Sequence, residues 1–194
     1  MAIVFSPLAS GSSPTDLLIN LLKDIDFLSA KYEQMDEATL QGGQIWLSRP
    51  YRFRLLAFTP VSQTIVSDGE NLWTHDLDLE QVIIRPLLHE AESIPLLVFA
   101  GNPEKLKKNY DIVLFEDGRL QQFVLSPLEK TGAIRSIELS FSNNLPLRLV
   151  FQTAIQRRTV INFNDVSTDP VDDAMFNFEI PGDIDVIDDR PKTY

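Results

Sequence analysis

Between residues 30 and 85 the chain repeats one pattern six times: a short run of alternating apolar and polar residues, then residues that turn the backbone. The runs lie near 30–38, 42–49, 52–59, 62–67, 70–76 and 80–85. The turn markers are Gly42-Gly43, Arg49-Pro50-Tyr51-Arg52, Thr59-Pro60 and Asp68-Gly69. Period-2 alternation sends one set of side chains into a core and the other into water, and Asp-Gly suits a two-residue hairpin. The pattern returns over 110–118 and 119–129, joined by Asp117-Gly118, and over 133–166, with Asn143-Asn144 as a turn. Short links of this kind leave no room for the crossovers that parallel strands need. The expected fold is mainly β with some helix (α+β): an incomplete antiparallel barrel of about eleven strands.

Two segments break the alternation. Residues 14–28 read as an amphipathic helix. Ser13 is placed to cap it, Pro14 suits its first position, and Leu17, Leu18, Leu21, Leu22, Ile25 and Leu28 fall on one face. Residues 86–109 read as short helices and contain Leu87, Leu88, Ile94, Leu96, Leu97, Val98 and Phe99. Both are expected to cover the open side of the barrel. The acidic tail from 169 onward is expected to dock through Phe176, Phe178 and Ile180 after a short turn at 171–175. Residues 1–12 read as a flexible lead-in, and 13–194 as one domain.

Composition narrows the chemistry. The net charge of −11 repels nucleic acid and anionic membrane surfaces, so neither is an expected partner. With no cysteine, disulfides, thiolate metal sites and a lipid-modified N-terminal cysteine are all excluded. No apolar run reaches the length of a membrane-spanning helix, and the opening residues lack the basic start of a signal peptide. His75 and His89 have no second histidine at ligand spacing. The acidic runs at 76–80 and 183–189 lack calcium-loop order. No nucleophile elbow, zinc motif or phosphate loop occurs. The chain is therefore expected to be no enzyme and to need no cofactor or metal. His75 and Asp76 are the one acid–base pair, and polar residues on an exposed strand or turn are the favoured explanation for them.

Arg49 is the residue out of place. Strand parity puts Ile45, Leu47 and Arg49 on one face, so if the first two point inward, the guanidinium does too. A cation there must find acceptors or reach water. Carbonyls at the end of a covering helix would serve, and Arg49 would then latch the lid; a strand end open to solvent is the plainer alternative. Aromatic residues recur on nearly every strand and in the insertion, which fits a packed core or the wall of an apolar cavity.

The run GGQIWLSRPYRFRLLAFTP at 42–60, followed by IVSDGENLWTHDLDLEQV at 65–82, resembles the signature of the outer-membrane lipoprotein carrier family, LolA. FVLSPLEK at 123–130 and AMFNFEIPGDIDVIDD at 174–189 resemble its later strand and its close. The resemblance covers about residues 13–190. It implies an unclosed barrel of eleven strands with helices, about 14–28 and 86–109 here, as a lid over an apolar cavity. It also implies a soluble, monomeric periplasmic chaperone. Such a protein takes acylated lipoproteins from an inner-membrane ABC transporter and delivers them to an outer-membrane receptor, its own signal peptide removed. A lipid-sensing regulatory module on the same fold is the alternative. The ligand-binding surface implied is Ile45, Leu47, Arg49, Phe53 and Leu55 on the wall, with Leu87, Leu88, Ile94, Leu97 and Phe99 in the lid. Arg49 takes the place of the family's lid-contacting arginine.

Overall fold

The computed structural model describes residues 12–191 except 37–38, 59 and 91–93. The expected lead-in, residues 1–12, therefore lies outside the described residues but for Ser12.

Helix α1 spans Pro14–Lys23. Ser13 caps it by accepting from the Asp16 N–H at 3.1 Å, and Asp16 and Lys23 match the charges of its two ends. The helix is shorter than expected. Leu28, which fits helical spacing, sits instead in strand β1 (Phe27–Asp36), where it points into the core opposite Leu47. A leucine at that position satisfies either period, and the strand pairing decided between them.

Strands β2 (Thr39–Ser48), β3 (Arg52–Ala57), β4 (Gln63–Asp68), β5 (Asn71–Asp76) and β6 (Gln81–Pro86) follow as a meander. The insertion comes next: α2 (Leu87–Glu90), α3 (Leu97–Ala100), a 3-10 turn (Pro103–Lys105) and α4 (Leu106–Asn109). Strands β7 (Tyr110–Asp117), β8 (Leu120–Pro127), β9 (Ile134–Ser142), β10 (Leu145–Thr153) and β11 (Arg158–Ser167) form the second meander, with Asn143 and Asn144 both at positive φ in the turn. Pairing of β1 with β11 joins the meanders into one unclosed sheet.

Gly42 and Gly43 do not turn the chain; they lie inside β2. Gly43 pairs with Tyr32, and a Cβ there would meet the Tyr32 ring and the Leu56 carbonyl. The ring lies across the place a side chain would take, so close approach, not backbone curvature, requires the glycine.

Among the described residues the sheet has twelve strands, one beyond the eleven or so expected. The added one, β12 (Asp185–Asp188), comes from the acidic tail and pairs parallel with β6. Its residues are exposed and carry no apolar alternation, so its strand character had no signal in the sequence. Gln81 donates to the Asp185 carboxylate at 3.0 Å, and Arg85 meets Asp189 at 3.2 Å. Ahead of β12 the tail straps the outer face. Phe176 is buried beneath the Arg52 guanidinium, and Phe178 stacks on Trp73 with centroids 6.1 Å apart. Arg54 donates to the Met175 and Asn177 carbonyls at 3.1 and 3.3 Å. Ile180, expected to dock, stays exposed.

Candidate functional site

The inner face of the sheet is read from its register. Leu28 and Ala30 of β1 face Leu47 and Ile45 of β2, which face Phe53 and Leu55 of β3. Across the barrel, Phe123, Leu139, Phe141, Leu149 and Phe163 complete one continuous apolar cluster. Helix α1 lays Leu18, Leu21 and Leu22 onto it, and the insertion adds Leu87, Leu97, Phe99 and Ala100.

Phe99 is the centre of this packing. It has no exposed surface and meets Phe141 and Phe163 edge-on, at centroid distances of 6.2 and 5.7 Å. It is carried by α3, a helix of four residues, too short to persist without tertiary contacts. The sequence alone did not tell a filled core from a lined cavity. In this structure the lid's own aromatic ring occupies the middle of the barrel. Two surface hollows lie elsewhere. One, of about 450 Å³, is on the outer face beside His75 and Phe178; the other, of about 320 Å³, is beside Gly42 and Phe58.

The lid is fastened at the corner between β2 and β3. The Arg49 N–H donates to the Asp26 carbonyl at 3.0 Å, which ties the corner to the end of the α1 connection. Two residues on, the Tyr51 N–H donates to the Ala100 carbonyl at 2.8 Å. That carbonyl is one of the acceptors a helix leaves unpaired at its C-terminus. A Cβ at the next residue, Gly101, would come within 3.3 Å of the Tyr51 ring and closer still to the Leu97 carbonyl. Lys105 stands over the Tyr51 ring at 5.4 Å.

The expected latch is corrected by this geometry. It is the Tyr51 backbone, not the Arg49 side chain, that holds the helix end. The Arg49 Nε and Nη2 are buried and have no hydrogen-bond partner among the described residues. Burial pulls the guanidinium down to about 10, and the nearby Asp26 charge only partly opposes this. The parity reading was right that the side chain turns partly away from water, but among the described residues no carbonyl receives its Nε or Nη2.

Of the ten residues singled out from the sequence, Ile45, Leu47, Phe53, Leu55, Leu87, Ile94, Leu97 and Phe99 come together in the one cluster. Leu88 does not. It is 83% exposed, because the first turn of α2 turns Leu87 inward and its neighbour out. Tyr51, Ala100 and Gly101 went unnoticed as fastening residues. Only a Gly next to an apolar helix hinted at them. Asp76, considered as an acid–base residue, accepts from the Asp78 and Leu79 N–H groups and so shapes a turn.

The family model for "Outer membrane lipoprotein carrier protein LolA" matches residues 24–179. The chain belongs to the LolA family. A Francisella philomiragia protein named outer-membrane lipoprotein carrier protein is 33% identical, over 97% of this chain and 95% of the relative. One of the same name from Alcanivorax borkumensis is 32% identical, over 96% and 92%. Among solved structures, an uncharacterized conserved protein from Thermus thermophilus superposes with a TM-score of 0.63 at 12% identity, covering 91% of this chain and 99% of that one. MucB superposes with a TM-score of 0.57 at 17% identity, covering 91% and 66%. At those identities the likeness is one of fold. The LolA family is a family of carriers, not of enzymes.

Proposed function

We propose that this LolA-family protein is a periplasmic carrier of acylated lipoproteins. It takes them from an inner-membrane ABC transporter and gives them up to an outer-membrane receptor. The observation that carries the reading is Phe99: an aromatic plug on a four-residue helix, seated against a curved apolar wall and tied at its end by one main-chain hydrogen bond. Such a plug can be exchanged for another apolar group. Withdrawing a buried phenyl ring costs about 3–5 kcal/mol. Each acyl CH₂ taken from water returns about 0.8 kcal/mol, so roughly four to six methylenes make the exchange even. A lipoprotein's acyl chains offer many more.

Arg49 has a place in this exchange. Its Nε and Nη2 are buried and find no acceptor among the described residues. The ester and amide carbonyls at the head of an acylated cysteine are acceptors of the right kind. Burying the tails would bring those carbonyls to the corner that Arg49 shares with Tyr51. Delivery then needs no energy source of its own. It needs a receptor that holds the chains more tightly than this protein does.

The test is recovery of cargo. The chain is co-expressed with a tagged lipoprotein and, separately, with the same cargo lacking its lipid-bearing cysteine. A soluble one-to-one complex with the acylated cargo alone is the expected result. Equal recovery of both cargoes, or of neither, would refute the acyl-carrier reading.

A further inference from the structure

The net charge of −11 is unevenly laid out. Eight of the 28 acidic residues fall between 169 and 189, in the strap over the outer face. Three segments are instead basic, and the topology gathers them at one end of the sheet. They are residues 105–109 ahead of β7, the β8–β9 turn at 128–133 and the β10–β11 turn at 154–157. Lys107 is already paired with Asp16 and Glu104. Lys108, Lys130, Arg157 and Arg158 are exposed and form no ion pair among the described residues. Asp111 and Glu129 are the acids beside them.

The three segments are bonded to one another. The Leu128 N–H donates to the Asn109 carbonyl at 2.9 Å, and the Ala154 N–H to the Ala133 carbonyl at 2.8 Å. Arg135 folds the β8–β9 turn by donating to the Lys130 and Gly132 carbonyls. The Thr153 N–H donates to the Arg157 carbonyl at 2.9 Å, and the Thr153 hydroxyl accepts from the Arg157 N–H at 3.2 Å. Turns held in this way present their side chains at little entropic cost on binding. Each offers one aliphatic side chain to solvent: Leu128, 58% exposed, and Ile155, 74% exposed. The two turns belong to neighbouring strand pairs and so stand about 10 Å apart. One exposed leucine is ordinary, but two tips on adjacent braced turns, each beside unpaired cations, form a surface.

Charge and shape select the occupant. An aliphatic tip ringed by cations is the arrangement of an interfacial anchor. The apolar group enters the boundary between headgroups and acyl chains, and the cations meet lipid phosphates. Screening confines a surface charge to about 8 Å at physiological salt. The acidic strap covers β3 to β6, at least three strands away along the sheet, so it does not cancel the cations here. We infer that this end of the barrel docks on an anionic phospholipid bilayer. Composition pointed the other way, because net charge counts every residue whereas a membrane meets only those that face it. With two small tips and no lipid anchor, the docking is weak and reversible. The inference goes beyond the carrier reading and does not depend on it.

The experiment is co-sedimentation of the full chain with phosphatidylethanolamine–phosphatidylglycerol vesicles and with phosphatidylcholine vesicles. The parent should favour the anionic vesicles at least tenfold, and raising salt should erase the preference. One cation near an anionic surface is worth about fivefold in binding, so Lys130→Glu with Arg157→Glu should weaken it at least tenfold. Leu128→Ser with Ile155→Ser should weaken it about fivefold and leave the salt dependence in place. Melting temperatures should not change, since all four side chains are exposed. Lipid taken into the barrel would depend neither on salt nor on these residues. Three results would overturn the inference: equal binding to both kinds of vesicle, a charge-reversed variant that binds as the parent does, or a parent that leaves anionic vesicles unbound at low salt. The last would assign this end to an acidic protein instead. Both variants should still retain acylated cargo, and a parent that retains none would bring down the carrier reading alone.

Discussion

Replacing Phe99 by alanine tests whether the ring is a plug or merely core. The side chain is fully buried and edge-on to two other phenylalanines, so deletion removes both its transfer energy and its ring contacts. Such a change costs about 3–5 kcal/mol, and the paired rings place it in the upper half of that range. For a chain of this length each kcal/mol moves the melting temperature by about 2–4 °C, so a fall of about 8–20 °C is expected. The distinguishing part is rescue. If the vacated space is where an acyl chain goes, a soluble monoacylglycerol should restore the variant. About five to six methylenes would suffice at about 0.8 kcal/mol each. The assay is thermal unfolding of parent and variant across a titration of the lipid, with a displaced fluorescent fatty acid reporting occupancy. A variant melting within about 2 °C of the parent would show that the ring is not packed as described. A large loss that the lipid corrects no better than it stabilises the parent would refute the plug.

Arg49→Leu should stabilise the empty protein. A guanidinium drawn down to about 10 keeps its charge at neutral pH but holds it at a cost in the folded protein. Its folded value lies below its unfolded one, so the penalty is complete below pH 10 and fades as pH rises from there toward the ordinary arginine value. Allowing for partial exposure, the gain is about 1–2 kcal/mol near neutral pH, read by urea unfolding; a loss of stability would refute the reading and restore the latch. Gly43→Ala should destabilise by about 1–3 kcal/mol, since the added methyl meets a backbone carbonyl that cannot withdraw, and urea midpoints would show it. Leu87→Ala should cost about 2–5 kcal/mol and Leu88→Ala less than about 0.5, a split between adjacent leucines that denaturation of the pair measures directly.

Much of this molecule was legible in its residues. Alternation marked β1 to β11 to within a few positions, because a half-buried strand must change polarity at every step. The cap at Ser13 and the two Asp-Gly hairpins were equally local, since each depends on neighbours within four residues. Parity put Ile45 and Leu47 on one face, the family resemblance added Phe53 and Leu55, and all four lie together in the apolar cluster. What local pattern could not supply was the meaning of contacts between distant segments. Leu28 fitted helix and strand alike until Leu47 stood opposite it. Gly43 looked like a turn because the Tyr32 ring it admits lies on another strand. Strand β12, wholly exposed, owes its existence to the free edge of β6. The lid's fastening at Ala100 is a backbone hydrogen bond, which any residue can make and no residue type announces. Period and propensity are properties of neighbours along the chain. Which ring fills the barrel, which carbonyl closes the lid and which charge is left without an acceptor are properties of neighbours in space, and only the folded arrangement sets them.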